Sequence, residues 1–153
     1  MNESFAAGII PFTFDNRKPI ILLGLEKSNN KWSGFVGGSE KNETPMQTAL
    51  REFNEETSFL FNLEYFHLEL LTTRPIIEKT ATGKTVYLWF IQCPPCILST
   101  DFKKFHDNQK VILDPHLKEK SKLRWFTLND IRNFKVLYRL QQTILKNFTI
   151  NGI

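Results

Sequence analysis

Three glutamates, Glu52, Glu55 and Glu56, stand at i, i+3 and i+4 in a stretch whose apolar residues repeat with helical spacing. That spacing puts all three carboxylates on one helix face. Like charges so placed repel, and a helix gains nothing from them unless a cation compensates. A fourth carboxylate, Glu43, lies just before the same stretch. Carboxylates gathered at a helix end are a common way to build an oxygen-ligand site for Mg²⁺ or Mn²⁺. A short acidic run is ordinarily just a solvated helix face, so the residues around it must decide.

The wider segment, Gly37 to Phe59, reads GGSEKNETPMQTALREFNEETSF. Five residues separate Gly37 from Glu43, and seven more lead to Arg51-Glu52, followed by Phe53, Asn54, Glu55-Glu56, Thr57, Ser58 and Phe59. This resembles the Nudix box, G-x5-E-x7-R-E-U-x-E-E-x-G-U with U apolar, and every specified position but one is matched. The departure is Ser58, where the family has glycine. A glycine there suits a left-handed helix end, and a serine forced into it costs about 1 kcal/mol. The loop from Gly38 to Glu43 is one residue shorter than the common family form, which leaves open whether Glu40 points at the site.

The resemblance implies a single domain over residues 1–153, of the α+β class: a Nudix-type α/β/α sandwich with a mixed sheet. It also implies a reaction, the cleavage by water of a nucleoside diphosphate linked to another group, with Mg²⁺ or Mn²⁺ as cofactor. Glu52, Glu55 and Glu56 would then be catalytic and metal-binding, joined by the backbone carbonyl of Gly37 or Gly38. Glu55, Glu56 or a loop acid would act as general base. Arg51, Glu119 and Trp32 are candidates for substrate contact, although Arg51 and Glu43 serve better to orient the helix, as in relatives. A small nucleotide is the favoured substrate, an RNA 5′ end or cap the alternative. A non-catalytic nucleotide- or RNA-binding module is the rival from another class, and it would be expected to lose carboxylates that this chain keeps.

Outside the box the signals are weaker. Glu119 precedes Trp125-Phe126 in a Lys-rich stretch with Lys118, Lys120 and Lys122, where a solvated carboxylate is the plainer reading. Trp32, Phe35, Tyr87, Trp89 and Trp125 could stack a base, and one or two of them are expected to face the site. Arg17, Lys27, Arg74 and Lys84 are candidate phosphate contacts, while His67, His106 and His116 show no ligand spacing. Cys93 and Cys96, in Cys-Pro-Pro-Cys, lack the second pair that zinc would need and read as reduced structural thiols.

The elements that must position these groups can also be read. Ser4 to Phe12 and Pro19 to Leu25 are expected strands around a turn at Asp15–Lys18, and Trp32 to Val36 a short extended piece. Thr44 as N-cap and Pro45 at the first position open a helix running to about Thr57, with Met46, Ala49, Leu50 and Phe53 facing the core. Phe66 to Glu78 and Thr85 to Gln92 are expected to form a hairpin around Ala81–Lys84. Cys93 to Ser121 reads as a long loop with a weak strand at Lys110–Leu113, Leu123 to Thr127 as a last strand, and Val136 to Phe148 as a closing amphipathic helix.

Composition frames this. The chain has 153 residues, 41% hydrophobic and 24% charged, which excludes a disordered tail and a disulfide scaffold. No apolar run is long enough for a membrane span, no secretory signal is evident, and a cytoplasmic location is expected. The sequons at Asn2, Asn42 and Asn147 then read as accidental. The net charge is +4, yet five of the 16 acids fall between Glu40 and Glu56, so the remainder is distinctly basic. That suits an anionic ligand brought in by a divalent cation. Oligomeric state is not legible.

Overall fold

Alternation along the longest strands decides which side of the sheet each residue serves. In β1 (Phe5–Asp15), β2 (Lys18–Glu26) and β6 (Thr85–Gln92), one set of side chains, including Ala7, Ile9, Leu22, Trp89 and Ile91, joins a first apolar cluster. The intervening set, Ile10, Ile21, Leu23, Leu88 and Phe90, joins a second cluster on the other face. A sheet apolar on both faces needs helices on both. The computed structural model, which describes residues 4–149, supplies them.

The first cluster is closed by α1 (Pro45–Glu56) through Ala49 and Phe53, α2 (Leu63–Thr72) through Phe66 and Leu70, and α3 (Lys103–Val111) through Phe105. The second is closed by α4 (Leu128–Asn133) through Ile131 and α5 (Tyr138–Thr149) through Ile144 and Phe148. The remaining strands are β3 (Trp32–Ser33), β4 (Phe35–Gly38), β5 (Ile76–Lys79) and β7 (Lys120–Phe126). The seven strands make one sheet in the order β3-β2-β1-β6-β5, with β4 on β1 and β7 on β2. Among the described strands β1 and β6 pair in parallel and the other pairs are antiparallel, so the sheet is mixed and the architecture is the expected α/β/α sandwich. The β1–β2 turn places Asn16 and Arg17 at positive φ, as a tight hairpin requires.

Three element readings need correction. Phe66 to Glu78 is not extended throughout: Asn62 caps α2, and only Ile76–Lys79 is strand. The β-branched residues that suggested a strand, Thr72, Thr73, Ile76 and Ile77, lie at or beyond the helix end, while Phe66 and Leu70 keep helical spacing inside it. Cys93–Ser121 is not one long loop, since α3 and two 3-10 turns, Pro95–Ser99 and Pro115–Leu117, occupy much of it. The weak strand at Lys110–Leu113 is instead the end of α3 and the coil after it; a single buried residue, Phe105, anchors that helix, too little for a periodic signal. The short helix α4, opened by a Thr127–Asp130 capping box, had no counterpart in the reading of the sequence. Cys93 is buried and Cys96 exposed, both as free thiols, and burial pushes the Cys93 thiol up to about 12.

Candidate active site

Helix α1 carries the carboxylates, and both its ends are secured by local chemistry. Thr44 Oγ1 accepts from the Gln47 backbone N–H at 3.2 Å while the Gln47 side chain accepts from Thr44 N–H at 2.9 Å, a reciprocal cap. At the far end Ser58 N–H donates to Glu55 O at 3.0 Å and Phe59 N–H to Asn54 O at 2.9 Å, the bond pair of a Schellman motif. Ser58 takes the left-handed conformation expected of the family glycine, with φ 52°, and Phe59 follows at φ 59°. The Ser58 hydroxyl is buried without a hydrogen-bond partner.

Arg51 gathers the front of the site. Its Nε donates to Glu43 Oε2 at 2.8 Å and its Nη2 to Glu43 Oε1 at 3.0 Å, a two-pronged pairing. Nη1 reaches Glu52 Oε1 at 2.9 Å and Glu55 Oε2 at 3.3 Å, and Nη2 also donates to Gly38 O at 2.9 Å. Glu40 comes within 3.2 Å of Nε. These bonds tie the Gly38–Glu43 loop to the helix. The Arg51 hydrogen bonds hold the Glu43 carboxyl at about 2, below the usual range, and the Glu43 pairing in turn raises the guanidinium.

Glu52 lies against Gly37: a Cβ at that glycine would come within 2.1 Å of the Glu52 carboxyl carbon. Glycine at the head of the box therefore makes room for a carboxylate. Glu56 turns inward and is 5% exposed. Its Oε1 is 3.5 Å from the ammonium of Lys120, itself 2% exposed, while its Oε2 is buried without a partner. Lys120 donates to Ser33 Oγ, lies over the Phe35 ring, and passes its stem where a Cβ on Gly24 would stand. Burial drives the Glu56 carboxyl well above its ordinary value, with Lys120 opposing and Glu52 reinforcing. Burial also raises Glu55, against the pull of Arg51.

An unpartnered buried carboxylate oxygen, a glycine cradle and an all-oxygen donor set fit a hard divalent cation. Among the described residues no three acidic, histidine or cysteine side chains already converge on one cation position, since Arg51 holds Glu52 and Glu55.

Beside Glu56 opens a cleft of about 340 Å³, between the sheet and the start of α5. Glu56, Glu119, Lys120, Ser33 and Glu26 line one part, Val36, Val86, Leu88, Leu137 and Leu140 its apolar walls, and Glu78, Thr80 and Arg139 the rest. Glu119 therefore shares a cleft with Glu56. Trp32 does not line it: the indole packs edge-on against Phe126, with ring centroids 5.0 Å apart. None of the five candidate aromatics lines this cleft, against the expectation of one or two. Phe35 and Trp89 are buried in the first cluster, and Tyr87 and Trp125 pack against it. Of the candidate cations, Lys84 approaches the box, its ammonium 3.8 Å from where a Gly38 Cβ would stand. His67, His106 and His116 are scattered over α2, α3 and a 3-10 turn.

Reading the sequence missed Lys120, Glu78 and Arg139 as cleft residues. Lys120 looked like one of several surface lysines because β7 buries Lys120, Leu123 and Phe126 at intervals of three, around a register shift opposite Leu25/Glu26. No simple alternation marked it. Glu78 and Arg139 carried no signal, since only the tertiary fold brings β5 to the first turn of α5.

The NUDIX domain family model matches residues 4–148. Among solved structures, a Caenorhabditis elegans Ap4A hydrolase in a binary complex is similar, with TM-score 0.61 and 19% identity, covering 99% of this chain and 100% of that one. A NUDIX-family hydrolase from Clostridium perfringens gives 0.60 at 15% identity, covering 97% of each chain. The NUDIX domain of Shewanella oneidensis NrtR, complexed with ADP ribose, gives 0.56 at 16% identity, covering 94% of this chain and 84% of that one. At these identities the likeness is one of fold. A curated relative, uncharacterized protein L534 of Acanthamoeba polyphaga mimivirus, is 43% identical over 65 residues, which is 38% of this chain but only 21% of that protein. No described helix is long and apolar enough to cross a membrane. With the family model spanning nearly the whole described fold and the box carboxylates in place, the chain belongs to the NUDIX domain family.

Proposed function

We propose that the protein hydrolyses a small nucleoside diphosphate derivative in a reaction that requires Mg²⁺ or Mn²⁺. The single observation that carries this reading is Glu56, a buried carboxylate with one unpartnered oxygen beside a cleft of about 340 Å³. That volume is at the lower end of the range for small-molecule sites, which supports a compact nucleotide over a structured RNA. Glu52, Glu55 and Glu56, with the Gly37 carbonyl, would hold the cation. A divalent ion in such a site neutralises phosphate oxygens and makes a bound water a better nucleophile.

The chain's own groups supply the rest. Arg51 orients Glu52 and Glu55 and joins them to the Gly38–Glu43 loop, so its role here is positioning and not substrate contact. Glu55, Glu56 or a loop acid would take the proton of the attacking water. Glu119 reaches the same cleft and is a candidate contact to substrate. Trp32, packed on Phe126, is better read as core. The cleft is otherwise acidic, with Glu26, Glu56, Glu78 and Glu119 against Lys120 and Arg139, so a bound cation would strengthen the hold on an anionic substrate.

The test is a product screen by mass spectrometry with Mg²⁺ or Mn²⁺. It should cover nucleoside triphosphates, dinucleoside polyphosphates, nucleotide sugars and a capped RNA. Cleavage of a small nucleotide at a phosphoanhydride is the expected result. Cleavage of the capped RNA alone would move the reading to RNA 5′ ends, and silence across the panel would count against hydrolysis of this substrate class.

A further inference from the structure

The end of the cleft remote from Glu56 is built differently from the catalytic end. Sheet order separates the two: Glu56 and Lys120 sit by β7 and β2, while Glu78 lies on β5, at the opposite margin beyond β1 and β6. Glu78 pairs across strands with Val86, and Ile76 with Leu88, so Glu78 stands on the same sheet face as the aliphatic floor of the cleft. Leu137 and Leu140, flanking Arg139, form the facing wall. Aliphatic surfaces suit the faces of a flat ring, and Glu78 and Arg139, one acceptor and one donor, line the same part of the cleft.

Both groups are held, and both keep hydrogen-bonding capacity. Thr143 Oγ1 lies 3.2 and 3.1 Å from the two oxygens of Glu78 and 3.0 Å from the Arg139 carbonyl. A hydroxyl has one proton to give, so the carboxylate keeps most of its lone pairs free. Arg139 Nη1 donates to the carbonyl of Lys79, the residue after Glu78, which leaves the other N–H groups of the guanidinium. No ion pair joins Glu78 to Arg139, so the two do not neutralise each other.

Guanine is the standard base that presents two adjacent N–H donors, N1–H and the 2-amino group, to a carboxylate. Its O6 and N7 acceptors suit an arginine fork. Adenine offers its acceptor N1 where guanine has a donor, and so would face Glu78 oxygen to lone pair. Resting on the reading of this cleft as the nucleotide site, we infer that Glu78 and Arg139 read the base, and that the substrate is a guanine nucleotide. Glu78 accepts from N1–H and the 2-amino group, and Arg139 donates to the acceptor side of the ring.

The inference is tested on the full chain in two ways. In excess chelator, calorimetric titration with GDP, ADP and IDP reads base preference without hydrolysis. GDP is expected to bind at least tenfold tighter than ADP, and IDP, which lacks the 2-amino group, to fall between them. In Mg²⁺ or Mn²⁺, kcat/KM for guanine nucleotides is expected to exceed that for matched adenine nucleotides at least 30-fold, mainly through KM. Glu78→Gln should shrink the guanine-to-adenine ratio at least tenfold and abolish the GDP-over-IDP preference. Arg139→Met should lower the same ratio while leaving the GDP-over-IDP preference, which separates the two roles. Equal binding of GDP and ADP, or an unchanged ratio in Glu78→Gln, overturns the assignment. Hydrolysis without base preference would overturn only this inference. Base preference without hydrolysis would overturn only the proposed reaction.

Discussion

Arg51 spends its guanidinium on its own chain, and the consequences are readable in Glu43. The Glu43 carboxyl is 17% exposed and held at about 2 by the Arg51 hydrogen bonds. In an unfolded chain a glutamate titrates at about 4.3. The pairing therefore stabilises the fold fully above about pH 4.5, and that contribution is lost as pH falls towards 2. Glu43→Gln is expected to lower stability at pH 7 by about 1–2 kcal/mol, allowing for solvent screening. The deficit should shrink as pH approaches 2, a trend that urea unfolding at several pH values would follow. The three box glutamates were legible from spacing alone, because i, i+3, i+4 fixes a shared face wherever the helix ends up. What each one touches was not legible: the sequence does not distinguish Glu55, held at the front by Arg51, from Glu56, turned inward to Lys120.

At the scale of elements, the helix that bears the site is terminated at a cost. Ser58 adopts φ 52° with its hydroxyl buried and unpartnered, where a glycine would adopt the same backbone freely. Ser58→Gly should stabilise the protein by about 1 kcal/mol, which corresponds to a rise in melting temperature of about 2–4 °C for a chain this long. Thermal unfolding checks this, and the reaction catalysed should be unchanged; a lost activity would mean the helix end does more than stop the helix. The limits of α1 were foreseeable because Thr44, Pro45 and the box itself punctuate both ends. Helices α2 and α3 were not, because each buries only one or two side chains and leaves the rest, such as Leu68, Leu71 and Val111, exposed. A weak apolar stripe beside β-branched residues reads as strand until tertiary packing decides it.

Over the whole molecule, a buried ion pair ties α1 to β7, a strand distant in the chain. Lys120, from β7, donates to Ser33 of β3, lies over the ring of Phe35 of β4 and meets Glu56 of α1. Removing one partner of a buried ion pair leaves the other charge uncompensated, a loss of about 3–5 kcal/mol. Lys120→Met should therefore unfold at markedly lower urea at neutral pH, with little change in the slope of the transition. This connection could not be read from the sequence, since its two ends are far apart in the chain and the strand that delivers Lys120 is bulged. The sandwich was legible as a class from the order of apolar strands and helices and from one clear box. The cleft was not, because β5, β7 and α5 each contribute to it from distant parts of the chain.

The most direct test of the account is the rate of nucleotide cleavage in Glu56→Gln, measured beside the unaltered protein with Mn²⁺ and again in excess chelator. The substitution removes the buried negative charge and keeps its shape. The account predicts a fall of at least ~100-fold in turnover, loss of activity in chelator, and an unchanged circular dichroism spectrum. Undiminished cleavage by Glu56→Gln, or full activity in chelator, would contradict it.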